Sequence, residues 1–310
     1  MATLPFEQRA QIAQDLHDDS DSLSLKSLSQ VSFQWRVPAQ MYLFQNLHIS
    51  IIKQRNARDF LHFLQASPHL LPFVRTLGLY QRGSSYVSVT EITAITSTLP
   101  NLRNLELYAY LTIVAGDEGA QEDALTINCG LTLMRVYLNE EAFTMLLAFF
   151  RGPQLLVNSV FLTNFTTDTR VSLDLSNYSS LRRVHVGEVA KLGGLDDESV
   201  VPIRDILVSI CPQTLKAFGM VCDVSYTTDV RLVNKYLGSK GHCVEDLQLD
   251  FASDAEAMGR CLWIGIPSGY PSTVRLSKYF RSLLSLWPRC QATTTSLLPL
   301  SCIGVLLFEY

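Results

Sequence analysis

The chain has 310 residues, of which 47% are hydrophobic and 17% charged, so it can bury a large core and is not a disordered protein. Its net charge of −4 argues against nucleic-acid binding as its main purpose. Seven cysteines stand singly, without C-x-x-C spacing or a nearby histidine pair, which fits a reducing cytosol or nucleus and predicts neither a metal site nor a cofactor.

The ends of the chain show no membrane signal. The polar start MATLPFEQRAQ lacks the apolar stretch of a signal peptide. The apolar run at 297–308 has 12 residues and contains Pro299, whereas a spanning helix needs about 20. We therefore expect no membrane partner and a cytoplasmic or nuclear location.

The first fifty residues carry helical spacing. Pro5 suits a first helical turn, and Ile12 and Leu16 continue one face at a spacing of four. Aspartates then crowd residues 15–21, where they oppose the helix dipole, so the helix should end there. A second helical set and then a short strand, LHISII, are expected to follow. The second set is Leu28, Val31 and Trp35.

From Phe60 onward, helical and strand patterns alternate. The stretch 57–68 predicts a helix ended at Ser67-Pro68, and 74–80 predicts a strand. Another helix is expected before Pro100, and Asn139 with two following glutamates predicts a further helix start. Further strands are expected at 102–111, 131–138, 157–165, 181–189, 215–221 and 244–251, and further helices at 203–211 and 230–238.

A repeated hexapeptide organises this region. The pattern L-x-x-L-x-L starts at Leu102 and recurs in related form at Leu181, Leu215 and Val244. The last three starts are 34 and 29 residues apart, and the 79 residues before Leu181 hold three units of about 26. Leucine-rich repeats have periods of roughly 20–29 residues, so the later units are long ones.

Alternating strands and helices predict a parallel sheet, in either an open solenoid or a closed enzyme fold. No G-x-G-x-x-G or G-x-x-x-x-G-K-[ST] loop occurs, and the six histidines have no spacing typical of a triad. We therefore expect no catalytic residues and an irregular leucine-rich-repeat-like solenoid with a curved parallel sheet.

The residues between the leucines should project from the exposed face of this sheet, where aromatic side chains make good anchors for a protein partner. The alternative is that the tyrosines merely cover the sheet. The candidate target-binding residues are Glu106, Tyr108, Tyr110, Tyr137, His185 and Asp250.

The N-terminal pattern also carries a resemblance. Leu4-Pro5-x-Glu7 with Ile12 and Leu16, followed by Val31-Ser32-x-x-Trp35, resembles an F-box, which reads L-P-x-E-I/L-x-x-x-I-x-x-x-L and then V-S-x-x-W. The segment after it resembles that of many fungal F-box proteins with leucine-rich-repeat-like regions. Two glutamines, Gln8 and Gln30, stand where the F-box pattern has apolar residues and could weaken adaptor affinity.

The resemblance implies a small all-α F-box-like module at 3–50, the repeat predicts a solenoid at 51–253, and the end of the repeat pattern predicts an irregular tail or cap at 254–310. The module would dock on a Skp-type adaptor of a cullin–RING ubiquitin ligase, and the repeats would hold a target protein. The adaptor contacts implied are Leu4, Pro5, Ile12, Leu16, Leu28, Val31 and Trp35.

Three alternatives stay open at this stage. The helices could simply cap a repeat scaffold that has no link to a ligase. An α/β hydrolase or barrel enzyme would instead gather polar groups at the strand ends. The tail at 254–310 could also be an artefact of gene prediction, such as intron read-through.

Overall fold

The computed structural model describes residues 4–52, 56–82, 85–116, 126–163, 178–191, 214–223, 244–252 and 273–276. The chain divides into two compact units, Met1–Phe149 and Phe150–Tyr310. Helices and parallel strands make up the described residues, which confirms the predicted mixture of helices with a parallel sheet. No described helix is long and apolar enough to cross a membrane.

Three helices open the first unit. α1 spans Phe6–Asp18, α2 Ser22–Val31 and α3 Phe33–Leu43. α1 begins after Pro5 and ends within the aspartate cluster, as predicted. The core between these helices is small and consists of Ala13, Leu25 and Ala39, with Leu16, Leu28, Tyr42 and Leu43 packed against it.

The remaining elements of the first unit alternate between strands and helices. The expected strand after α3 is β1, and it pairs with β2, so the predicted boundary at residue 50 falls within a sheet strand. The strands are β1 Asn46–Ile51, β2 Thr76–Gln81, β3 Tyr86–Ser88, β4 Asn104–Tyr108, β5 Thr112–Val114 and β6 Gly130–Asn139. The helices are α4 Ala57–Ala66, a 3-10 helix Pro68–Phe73, α5 Val89–Ser97 and α6 Glu140–Phe149.

The main strands of this unit run parallel in the order β1-β2-β4-β6. Leu47, Leu77, Leu105 and Leu131 lie in register on these strands, at intervals of 30, 28 and 26 residues. Leu77, Leu105 and Leu131 are fully buried, as are Leu79 and Leu107 two residues along β2 and β4. Side chains two apart share a face of a strand, so the apolar residues form the core side of the sheet.

Two bulges interrupt the strands that the sequence predicts to be continuous. Ala109 and Tyr110 have positive φ and separate β4 from β5. Arg135, also at positive φ, divides β6, whose first half pairs with β4 and whose second half pairs with β5. β3 pairs with β5, so a second row of short strands continues the sheet. Non-glycine residues in this region of backbone space are strained, and such bulges re-aim side chains.

The second unit contains five described strands, all parallel, in the order β7-β8-β9-β10-β11. In the described part of the 79-residue gap in the repeat, β6 and β7 follow β4 and β5 as two further long strands, as three units of about 26 residues require. The predicted helices at 203–211 and 230–238 lie outside the described residues. The strands are β7 Gln154–Thr163, β8 Arg183–Lys191, β9 Ala217–Asp223, β10 Asp246–Ala252 and β11 Thr273–Leu276.

β11 lies inside the segment predicted to be irregular. Val274 stands in register with Leu247, which stands in register with Phe218 and Val184. The intervals from Val184 onward are 34, 29 and 27 residues, so the spacing of the repeat continues past 253 although no L-x-x-L-x-L motif is present there. These four residues are the part of 254–310 that the structure describes.

The helices beside the sheet begin with well-formed caps. In α4, the Asn56 side chain accepts from the Asp59 amide at 2.9 Å, and the Asp59 carboxylate accepts from the Asn56 amide. Ser88 and Glu91 form the same reciprocal capping box at the start of α5. The predicted cap of α6 is confirmed, because the Asn139 side chain accepts from the Ala142 amide at 2.8 Å. Such pairs satisfy amides that have no partner within the helix.

Candidate protein-binding surfaces

The three N-terminal helices leave large apolar side chains in solvent. Six of them are grouped here as the helical apolar surface, and each is between 40% and 77% exposed. The Arg9 guanidinium donates to the Gln34 carbonyl oxygen at 2.7 Å, which ties the first half of α1 to the start of α3. The helical apolar surface consists of Leu4, Phe6, Ile12, Val31, Phe33 and Val37.

The predicted adaptor residues divide into two groups. Leu4, Pro5, Ile12 and Val31 are exposed. Leu16, Leu28 and Trp35 are partly buried, and the two leucines pack against the small helical core.

Sequence reasoning missed three exposed residues, Phe6, Phe33 and Val37. Phe33 and Val37 are four residues apart in α3, so they lie on one helix face. The spacing of four is visible in the sequence, whereas the exposure of the two side chains depends on how α3 packs.

A second candidate surface is the outward face of the first unit's sheet. On this face Tyr108 meets residues from two other strands. The Tyr108 hydroxyl lies 3.0 Å from His48 Nδ1 on β1, and the Tyr108 ring stacks on Tyr80 of β2 with centroids 5.3 Å apart. The group His48, Tyr80, Glu106 and Tyr108 is called the aromatic face below.

A glycine makes this arrangement possible. Gly78 stands in register between His48 and Glu106. A Cβ at Gly78 would lie 2.3 Å from His48 Nδ1 and 2.9 Å from a Tyr108 ring carbon. Both contacts are far inside van der Waals distance, so only glycine lets the two side chains meet across β2.

Burial and charge act together on Tyr108. Its pKa is raised above 10.0, first by burial and then by the nearby Tyr80 and Glu106. The hydroxyl therefore stays protonated at neutral pH and remains available as a hydrogen-bond donor or acceptor. Glu106 lies two residues before Tyr108 on the same face of β4, about 7 Å away along the strand.

A further aromatic pair lies beyond the bulges. The Tyr110 and Tyr137 rings stack with centroids 6.0 Å apart. Leu131 and Leu133 are buried before Arg135, and Val136 and Leu138 are buried after it, so the bulge shifts the alternation by one residue. The shift places Tyr137 on the outer side, where strict alternation from Leu131 would have turned it inward.

The second unit has a groove of about 350 Å³ on the face of β7–β10. Arg183 and Asp246 form an ion pair across it, with Nη2 and Oδ2 3.8 Å apart. The ring of His185 lies beside Gly219, where a Cβ would come within 2.3 Å of Nδ1, and so repeats the His48–Gly78 arrangement. The polar residues that line the groove are Asn158, Arg183, His185, Asp246 and Gln248.

The predicted target residues therefore fall on both units. Glu106 and Tyr108 share the aromatic face, Tyr110 pairs with Tyr137, and His185 lines the groove. The side chain of Asp250 lies outside the described residues. His48 and Tyr80 were missed, because the contact of His48 with Tyr108 spans 60 residues of sequence.

The described residues contain no group of three histidine, cysteine or acidic side chains placed to hold a metal ion. Comparisons with protein-family models, curated proteins and solved structures found no match. The arguments for function therefore come from the chemistry of the surfaces described above.

Proposed function

We propose that this protein is the substrate-recognition subunit of an SCF-type ubiquitin ligase. Helices α1–α3 would act as the F-box that docks a Skp-type adaptor, and the sheet face would hold a target protein. The observation that carries the proposal is the helical apolar surface, which exposes six large side chains beside a core of Ala13, Leu25 and Ala39.

Burying these exposed side chains in a complex would contribute free energy of binding. Fully burying one such side chain contributes about 1.5–3 kcal/mol, so several together can supply the affinity of a stable complex. Single exposed apolar residues are ordinary, whereas a group of them marks an interaction site. An F-box module works by presenting apolar side chains to an adaptor, and Leu4, Ile12 and Val31 occupy the positions that the resemblance assigns to that contact.

The sheet supports the second half of the proposal. In each unit the leucine positions stay in register from strand to strand, at intervals of 26–34 residues. These intervals overlap the roughly 20–29 residues of leucine-rich repeats and extend beyond them, as expected for an irregular leucine-rich-repeat-like solenoid, whose open face binds proteins. Such a chain would perform no chemistry itself and would contribute proximity between the target and the ligase's other subunits.

The test is co-purification with a recombinant Skp-type adaptor. The double variant Leu4→Ala with Pro5→Ala, and the single variant Phe33→Glu, should each lower adaptor recovery at least tenfold. A matched control is Leu23→Glu, because Leu23 is as exposed as Phe33, at 77%, but lies about 12 Å along α2 from Val31. Failure of the intact protein to recover the adaptor would overturn the proposal.

A scaffold without any ligase link is the second candidate. It is favoured by the packing of α3 against β1 and the 3-10 helix, which is what a cap on a repeat array would do. A capping helix stabilises the array through the side chains that it buries, so its exposed side chains are not needed for that role. If Phe33→Glu leaves both stability and the set of co-purifying proteins unchanged, the scaffold is the better description.

A further inference from the structure

We propose that the aromatic face of the first unit binds an arginine side chain presented by an extended segment of a partner protein. The inference rests on the proposed function only in identifying that partner as the ligase target. Its binding chemistry follows from His48, Tyr80, Glu106 and Tyr108 alone.

The charge of this face favours a cation. The outward positions of β1, β2 and β4 include one carboxylate, Glu106, and no lysine or arginine, and the exposed arginine of β6, Arg135, lies at the bulge, three residues beyond the Thr132 that stands in register with Glu106. Arg75, Arg82 and Arg103 flank β2 and β4 and are not part of either strand. Glu106 forms no ion pair or hydrogen bond with any residue that the structure describes. A guanidinium would supply the missing opposite charge, whereas a phosphate or a carboxylate would be repelled.

The rings favour arginine among the cations. Tyr80 and Tyr108 stack nearly parallel, with 26° between their planes, and both are half-buried. A planar guanidinium can lie over such a ring within about 6 Å of its centroid and still donate hydrogen bonds from its edge. Glu106 is positioned to accept those bonds, because it precedes Tyr108 by two residues on the same strand face. A lysine ammonium is compact and strongly hydrated, and it cannot stack in this way.

The site is also held in place before any partner arrives. The hydrogen bond between His48 and Tyr108 spans β2, and Gly78 leaves the room for it. The Tyr108 side chain is thus held at its hydroxyl by His48 and along its ring by Tyr80. Fixed anchors lose little conformational entropy on binding, which favours affinity.

The groove of the second unit provides the contrast. Its arginine and aspartate already pair with each other across the groove. A partner's cation would have to compete with Arg183 for Asp246, so the same ligand is not expected to bind there. The aromatic face is the surface whose charge is left unmatched by the described residues.

The experiment measures binding of fluorescein-labelled peptides to the full-length protein by anisotropy, without any adaptor present. The probe is a ten-residue peptide of glycine and serine with two arginines. Matched peptides carry citrulline, which has the same shape without the charge, or lysine. We expect the arginine peptide to bind at least tenfold more tightly than the citrulline peptide and several-fold more tightly than the lysine peptide.

Two variants assign the binding to the aromatic face. Glu106→Gln and Tyr108→Leu should each weaken binding of the arginine peptide about fivefold to tenfold. Glu141→Gln is the matched control, because Glu141 is exposed in α6 and the substitution makes the same change in net charge. Circular dichroism and thermal unfolding establish that each variant is folded before its affinity is compared.

Three results would overturn the inference. They are equal binding of the arginine and citrulline peptides, equal weakening by Glu106→Gln and Glu141→Gln, and tighter binding of an acidic peptide or of single-stranded RNA. The outcome is independent of adaptor docking, because a protein that recovers no adaptor can still bind the arginine peptide. If the protein binds neither the adaptor nor the arginine peptide, the proposed function and this inference are both wrong, each on its own measurement.

Discussion

The helical module and the sheet of the first unit use apolar residues in opposite ways. The sheet places its leucines in register inside the core and turns polar and aromatic side chains outward. The three helices bury two alanines, one leucine and one proline, and they leave phenylalanines, valines and leucines in solvent. The apolar side of the sheet is buried within the unit, whereas the helices have exposed apolar side chains that no described residue covers.

The helix ends show the same contrast. α4 and α5 both start with a reciprocal capping box. In the module, α1 and α3 start without any side-chain cap, and α2 is capped by Asp21. Capping residues in the local sequence therefore fix the starts of the helices beside the sheet more strongly than the starts of the helices in the module. The module therefore depends more on packing than on its caps.

The largest expected effect is in the sheet core. Leu105→Ala should lower the free energy of unfolding by about 2–5 kcal/mol, because the fully buried side chain lies between Leu77 and Leu131 and its removal leaves a cavity. Leu23→Ala in the module removes the same atoms from an exposed site and should change stability by no more than about 0.5 kcal/mol. Urea denaturation followed by circular dichroism measures both. Equal losses of unfolding free energy in the two variants would contradict the difference between the sheet core and the helical module.

A smaller effect is expected at the helix caps. Ser88→Ala removes the acceptor for the Glu91 amide and should cost about 0.5–2 kcal/mol. Ser32→Ala changes the residue before α3, whose side chain makes no cap hydrogen bond, and should cost less. The two free energies of unfolding are measured under one buffer condition. If Ser32→Ala proves the more costly change, the module's helices are not the weaker-capped ones.

The smallest expected effect is on the pH dependence of stability at the start of α2. Asp21 caps α2, and hydrogen bonds from Ser24 hold the pKa of its carboxyl below 3.8. A lowered pKa in the folded state gives stability that is present above about pH 4 and is lost as pH falls through the folded pKa. Asp21→Asn keeps the acceptor but removes the charge. The small stability advantage of the wild type at pH 6 should therefore shrink towards pH 3, as measured by denaturation at each pH. An advantage that grows towards pH 3 would contradict this sign.

The sequence by itself determined most of the elements, because their signals are local. The pairs Leu105 with Leu107 and Val184 with Val186 predicted two buried strands, and Asn139 before two glutamates predicted the start of α6. Periods of two and about 3.6 residues are set by the backbone and need no information from distant parts of the chain.

Only the tertiary structure decided where the surfaces lie. The bulge at Arg135 turns Tyr137 outward, and the meeting of His48 with Tyr108 depends on strand order and on Gly78. Whether an apolar residue such as Phe33 is buried depends on what packs over it, and its spacing in the helix does not reveal that. Register, bulges and burial are set by contacts between residues far apart in sequence, so a local pattern cannot fix them.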